Sequence, residues 1–285
     1  MKKNQRKRIL FSLLPLAILL CFVYGYSLIT VIISAFQGFT GSSAGKFVGL
    51  KNFQLISKDI WPTVKITLIW TFGSVLPAMV MGLAIAVICN RNFKGKKFVV
   101  SVNLIPYAIP LIIVASCWRF VYNPDFGILN VFLQKIGAID KPISFLGLDL
   151  ALLSVIIARI WRAMPLAFMN YYSALTTISK DLYEAAAIDG ASSSQAFWHI
   201  TMPHLRSTTS STLLVLTVWT FMVFDIIFGM TGGGPVNATK TLPMRIYQEM
   251  FSMKNLGTAS AWSLIAISVL MILTIIYWNM DKEEA

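Results

Sequence analysis

The sequence predicts an all-α integral membrane protein with six transmembrane helices and N and C termini on the cytoplasmic side. Three observations carry this. The chain is 56% hydrophobic, with a mean hydropathy of +0.71. Only 13% of its residues are charged, about half the share of a soluble globular chain. Its apolar residues gather into six runs, each near the 20 or so residues that cross a bilayer.

The first element is a basic tail, residues 1–8, with Lys2, Lys3, Arg6, Lys7 and Arg8. The uncharged run behind it, residues 9–36, is 28 residues long. A signal-peptide core is only about 7–15 residues, so this run reads as a retained span. Residues 9–285 then read as a single transmembrane domain, with further spans at 66–89, 98–121, 149–173, 209–229 and 259–278. Pro77, Pro106, Pro110 and Pro165 fall inside or beside these spans. Each would cost about 3 kcal/mol inside a soluble helix. In a bundle, neighbouring helices and water satisfy the freed carbonyls, so these prolines read as flex points or passive kinks. Cys21, Cys89 and Cys117 lie in or at the ends of apolar runs and read as small buried hydrophobes, not as a disulfide framework.

Orientation follows from the loops. With the N-terminus inside, the cytoplasmic segments 1–8, 90–97, 174–208 and 279–285 hold 12 Lys and Arg in 58 residues. The outer loops 37–65, 122–148 and 230–258 hold 9 in 85. The bias satisfies the positive-inside rule. The same clustering disposes of a nucleic-acid partner for the net charge of +12: the charge flanks apolar spans, where it sets topology and meets anionic lipid headgroups.

The longest cytoplasmic loop, 174–208, has its own local chemistry. Asp181 and Glu184 stand at capping-box spacing. Ala185, Ala186 and Ala187 propagate a helix well, and Gly190 can take the left-handed conformation that ends it. Ser192, Ser193 and Ser194 can each cap a second helix through Phe197 and His199. Pro203 is expected to stop that helix. The product is a rigid helix–turn–helix between two spans, with a small alanine face for close approach to a partner.

Glu184-Ala185-Ala186, then Gly190, then Ile200 and Met202-Pro203 resemble the EAA signature of binding-protein-dependent ABC importer permeases. The one departure is Met202 where the signature has leucine. The resemblance runs along the chain. Phe47-Val48-Gly49-Leu50-Lys51-Asn52-Phe53, Gly127 with Asn130, Phe224-Asp225, Thr231-Gly232-Gly233-Gly234-Pro235, Thr239 and Thr241 resemble the carbohydrate-uptake branch. So do Ile246-Tyr247 with Phe251, and Gly257 with Ala259-Ser260-Ala261. The resemblance implies the type I ABC importer permease fold in a bacterial or archaeal cytoplasmic membrane. It implies a sister permease, of a different kind, lining the path with this one. It further implies two ATP-binding subunits and an extracellular or periplasmic solute-binding protein that delivers a sugar or sugar-like solute. Glu184, Ala185, Ala186, Asp189, Gly190, Ala191, Ile200 and Pro203 would form the surface that docks on the ATPase. ATP and magnesium would be used by that partner, and this chain would bind no cofactor and catalyse nothing. Permeases of the same architecture for amino acids, peptides or polyamines, and a non-transporting scaffold, are the competing readings.

Arg159 and Arg162 lie inside the fourth expected span. Arg159 is roughly 15 Å from its outer end at 1.5 Å per residue. A charge there should face protein or a watery cavity, since exposure to lipid costs at least about 2.5–3.5 kcal/mol. Arg159, Arg162, Ala163, Leu166 and Asn170 share one helical face. In the family this span and the next line the solute path. Arg159, Arg162, Ala163, Leu166, Trp219, Thr220 and Asp225 are therefore the path candidates, with Trp161 as a further stacking surface. A purely structural role for the arginines is the alternative.

Other signals are discounted. Gly41-Ser42-Ser43-Ala44-Gly45-Lys46 is one residue short of a phosphate loop, and Phe47 replaces its Ser/Thr. His199 and His204 have no cysteine near them, so a metal site is not expected. Gly232 to Gly234 can form an anion nest or a turn, and a turn is expected.

Overall fold

The structure, a computed structural model, describes residues 13–40 and 43–282. The expected basic tail 1–8, the start of the first span and Glu283 and Glu284 lie outside the described residues. Residues 41–42 of the discounted glycine-rich run do too. Among the described residues, four helices are long and apolar enough to cross a membrane, and up to six spans result if each of two bent helix pairs counts as one.

The chain divides into two compact units. The first holds the residues up to Pro62 together with Arg245–Val269. In it α1, Leu13–Ala35, leads into a hairpin of β1, Gln37–Thr40, and β2, Ser43–Phe47. Their register pairs Gln37 with Phe47 and Phe39 with Ala44, and a bulge separates the two pairs. This hairpin is absent from the sequence reading, because four- and five-residue strands leave too little alternation to register. Its base is pinned by buried Asn52, at the start of α2, Lys51–Asn90. The Asn52 Nδ2 donates to the Ala35 carbonyl at 2.8 Å and to the Gln37 carbonyl at 2.9 Å. A Cβ at Gly257 would sit 2.7 Å from both Asn52 Nδ2 and Gln37 O, so only glycine fits there. Also in this unit, Arg245 of α10, Leu242–Tyr247, pairs with Asp59 at 3.3 Å and lies 5.7 Å over the Trp262 ring.

At 40 residues, α2 is about 60 Å long. The sequence reading began this span at 66. Lys58, Asp59 and Lys65 end the apolar pattern there, but α2 begins 15 residues earlier, at Lys51. Hydropathy marks where a helix leaves the apolar layer, not where it ends.

The second unit holds Thr63–Met244 and the chain from Leu270 onward. Here the expected span 98–121 is not one helix. It is α3, Lys96–Ala108, and α4, Leu111–Val121, bent by 102°. Pro110 has no N–H to donate and forces the preceding residue out of the helical region. Ile109 is accordingly extended, at φ −80° and ψ 131°. Pro77 and Pro165, by contrast, sit within unbroken helices. A short α5, Ile128–Lys135, follows. Its buried Asn130 exchanges two hydrogen bonds with the Ile143 backbone at 3.0 and 2.8 Å, tying down the loop that leads to α6, Ala151–Thr177.

The core of this unit lies between α2 and α6. Val75, Ala78 and Ala86 of α2 bury against Ala163, Ala167, Phe168 and Tyr171 of α6. A Cβ at Gly82 would come within 2.7 Å of the Ala167 Cβ. Small residues let helices in a membrane approach this closely. Past α6 come α7, Lys180–Ile188, and α8, Ser193–Met222. The expected span 209–229 breaks at Val223–Phe224, and α9, Asp225–Thr231, departs at 44°. The glycines after α9 make a turn, not an anion nest. The Gly232 N–H donates to Ile227 O, the Gly233 N–H to Thr231 Oγ1 and the Gly234 N–H to Thr231 O. The chain ends in α11, Leu256–Lys282.

Candidate functional site

Two sites in the second unit concern function. The first is the segment between α6 and α8. The α7 N-cap is Ser179, whose Oγ accepts the Asp181 N–H at 3.3 Å. Asp181, the expected cap, instead lies in the first turn, where its charge favours the helix N-terminus. The α7 C-terminus is a Schellman motif. The Gly190 N–H donates to Ala187 O at 3.1 Å and the Ala191 N–H to Ala186 O at 2.9 Å. This requires a left-handed residue, and Gly190 has φ +80°. Of the three candidate serines, Ser192 caps α8. It forms a full capping box, with Gln195 N donating to Ser192 Oγ at 3.3 Å and Ser192 N to Gln195 Oε1 at 2.8 Å.

Pro203 does not stop the second helix. α8 passes through it without a break, by way of a wide π turn at Phe197–Thr201. The wide turn relieves the clash between a proline ring and the carbonyl four residues back. The hinge at Gly190 is thus joined to a membrane-depth helix by one continuous rod. Tyr183 OH and Thr201 Oγ1, 2.9 Å apart, tie α7 to that rod. Glu184, Ala185, Asp189 and Pro203 are exposed, and Ala186, Ala191 and Ile200 are half-buried. Ile188, at 87%, and Trp198, at 61%, are large exposed apolar side chains on the same segment. Behind the hinge is a cavity of about 550 Å³, lined among others by Asn90, Arg91, Tyr183, Ser193 and Phe197.

The second site is a cavity of about 390 Å³ between the middle of α6 and the C-terminal end of α8. It brings together Arg159, Arg162, Ala163, Leu166, Trp219 and Asp225, all expected from the sequence. Tyr107, Leu111, Leu216 and Met222 also line it and were missed. Tyr107 and Leu111 reach it only because the chain breaks at Ile109–Pro110 and turns by 102°, an angle that sequence spacing does not give. Thr220 is not on the wall. Its Oγ1 accepts from Arg159 Nε at 3.2 Å and Nη2 at 2.9 Å, and its carbonyl accepts from Trp70 Nε1 at 2.9 Å. Trp161 is elsewhere, edge-on to Trp118 at 6.0 Å between centroids. Asn170, a turn below the cavity, donates to Thr212 Oγ1 at 3.0 Å.

The two arginines differ. Arg159 is 5% exposed and directs Nε and Nη2 at one hydroxyl, fastening α6 to α8. Arg162 is half-buried, donates its Nε to the Ile109 carbonyl at 3.2 Å, and stacks 4.6 Å from the Tyr107 ring centre. It caps the carbonyl freed at the break of α3.

Broken helices around a largely apolar cavity that carries two arginines and an aspartate, with a capped hinge on a rod leading from it, are an arrangement suited to a membrane-embedded transport subunit. The chain belongs to the family described as binding-protein-dependent transport system inner membrane component, which matches residues 78–282. It is 32% identical over 286 residues to the trehalose/maltose transport system permease protein MalF of Thermococcus litoralis, covering 99% of this chain and 96% of that one. It is 36% identical over 244 residues to the sn-glycerol-3-phosphate transport system permease protein UgpA of Agrobacterium fabrum, covering 85% and 83%. Its fold is similar to a chain of a bacterial ABC transporter involved in import of the acidic polysaccharide alginate, at a TM-score of 0.83 and 22% identity, covering 99% and 98%. The family that residues 184–203 suggested is the family found.

Proposed function

We propose that this chain is the transmembrane subunit of an ATP-driven importer for a sugar or sugar-like solute, in a bacterial or archaeal cytoplasmic membrane. Each bent pair is read as one span, which gives six, and the lysine and arginine bias of the loops supports both termini inside. A sister permease completes the path, a binding protein delivers the solute, and two partner subunits hydrolyse ATP. The relatives named for trehalose, maltose and glycerol phosphate support the carbohydrate class over amino acids or peptides. The scaffold reading leaves the cavity without a purpose.

The observation that carries this reading is the hinge at Gly190 and its rod. Glu184, Ala185, Ala186, Asp189, Gly190 and Ala191 meet the ATPase, and Ile200 and Pro203 hold the rod where it enters the membrane. Because α8 is continuous from Ser193 to Met222, a displacement of the hinge reaches Trp219 and Thr220 without an intervening flexible joint. Arg162, Ala163, Leu166, Trp219 and Asp225 bound the solute path, and Arg159 with Thr220 positions its wall.

The test is solute-stimulated ATP hydrolysis and uptake in proteoliposomes. Glu184→Lys, which reverses a charge on the docking face, should release the ATPase or uncouple it while the permease remains membrane-inserted. Full coupled uptake by this variant would refute the docking assignment.

A further inference from the structure

Among the described residues, the charge on the membrane cavity is only partly balanced: two arginines face one carboxylate. Arg159 and Arg162 both line it. Every hydrogen-bond acceptor they reach is neutral: a threonine hydroxyl for Arg159, a backbone carbonyl for Arg162. The Arg162 guanidinium also lies on a neutral tyrosine ring. Among the described residues neither arginine is ion-paired, and the only carboxylate on the wall is Asp225. Asp225 opens α9, where the helix N-terminus already supplies a positive partial charge.

Guanidinium groups at membrane depth are held by pairing or by carbonyls, and an unpaired charge is expensive. Arg159 directs Nε and Nη2 at Thr220 and is 5% exposed. Among the described residues Arg162 commits only Nε, so its two terminal nitrogens, the pair that grips a carboxylate or phosphate in a fork, make no hydrogen bond there. It is half-buried on the wall of a cavity large enough for a monosaccharide-sized group.

We infer that the solute carries an acidic group, a carboxylate or phosphate on a sugar or polyol, and that the terminal nitrogens of Arg162 receive it while Trp219 lies against the carbon skeleton. This rests on reading the cavity as the solute path. Arg162 Nε keeps the Ile109 carbonyl at the α3–α4 break, which fixes the direction of the terminal nitrogens and makes Arg162 a specificity residue.

The experiment uses the complete complex, permease pair plus ATPase, in nanodiscs. Trp219 fluorescence is titrated with sn-glycerol 3-phosphate, glucuronate and trehalose, and Trp219→Phe identifies the signal. Wild type should bind both acidic probes at least about ten-fold more tightly than trehalose, the discrimination expected of one charge-assisted contact. Arg162→Gln should erase that preference, bringing the acidic probes to within about two-fold of trehalose. Arg162→Lys, which keeps the charge and loses the fork, should retain a reduced preference, so the proposal does not depend on how well the glutamine variant assembles. Equal or tighter binding of trehalose by wild type overturns the proposal. That is the result expected if a carboxylate of the sister permease fills the gap. No response to either acidic probe, or an unchanged preference in Arg162→Gln, also overturns it. Coupled uptake of a neutral sugar alone would overturn this inference and leave the importer reading intact. A complex that retains no ATPase would overturn both.

Discussion

The hinge at Gly190 and the cavity at Arg162 are built by opposite means. The hinge is made from neighbours in sequence. Each of its hydrogen bonds, apart from the Tyr183–Thr201 tie, spans five residues or fewer. The cavity is made from residues 53 and 61 positions apart, in Arg162–Ile109 and Arg159–Thr220, and from Trp70, 150 positions from Thr220. A locally closed hinge keeps its shape while the helices it serves move. A cavity closed by distant partners changes when those helices shift. The division suits a lever and the chamber that it opens.

Substitutions can separate the two. The largest effect belongs to Gly190→Pro. Proline holds φ near −65° and cannot occupy +80°. A cost of about 3 kcal/mol or more at the Schellman turn should lower coupled uptake in proteoliposomes roughly a hundred-fold, with the permease still inserted. Next is Thr220→Val, which leaves the buried Arg159 without its acceptor. Hydrogen bonds to charged groups contribute about 1.5–3 kcal/mol, so the purified complex should melt at a lower temperature while the ATPase still co-purifies. Ser192→Ala removes the capping box and should cost about 1 kcal/mol, seen as several-fold weaker ATPase retention with no change in cavity ligand binding. Tyr183→Phe loses only the tie to Thr201, about 0.5–1.5 kcal/mol. It should slow coupled uptake slightly without releasing the ATPase. If Ser192→Ala altered ligand binding as strongly as coupling, the separation between lever and chamber would fail.

The same division decides what was legible in the sequence. Gly190 and Ser192 were readable as a helix stop and start because capping depends on neighbours. The errors there were local competitions: Ser179 took the cap from Asp181, and a π turn carried α8 past Pro203. At the cavity, the i, i+3 and i+4 spacing placed Arg159, Arg162, Ala163 and Leu166 on one face. It had no means of supplying Tyr107 and Leu111, which depend on a 102° bend. Pro106, Pro110 and Pro165 were noted alike, yet only Pro110 stands at a break. Nor did periodicity distinguish Trp219, on the cavity wall, from Trp161, which packs on Trp118.

The central claim is that the Gly190 hinge is the surface that meets the ATPase. A photo-crosslinking residue at Ile188, 87% exposed beside the hinge, tests it most directly, with Val236, 85% exposed after the Gly232–Gly234 turn, as the control in a loop that the proposed topology puts outside. In the assembled transporter, the Ile188 probe should capture the ATP-hydrolysing subunit and the Val236 probe should not. Capture of the ATPase from Val236, or none from Ile188 in a complex that hydrolyses ATP and transports, would contradict the account.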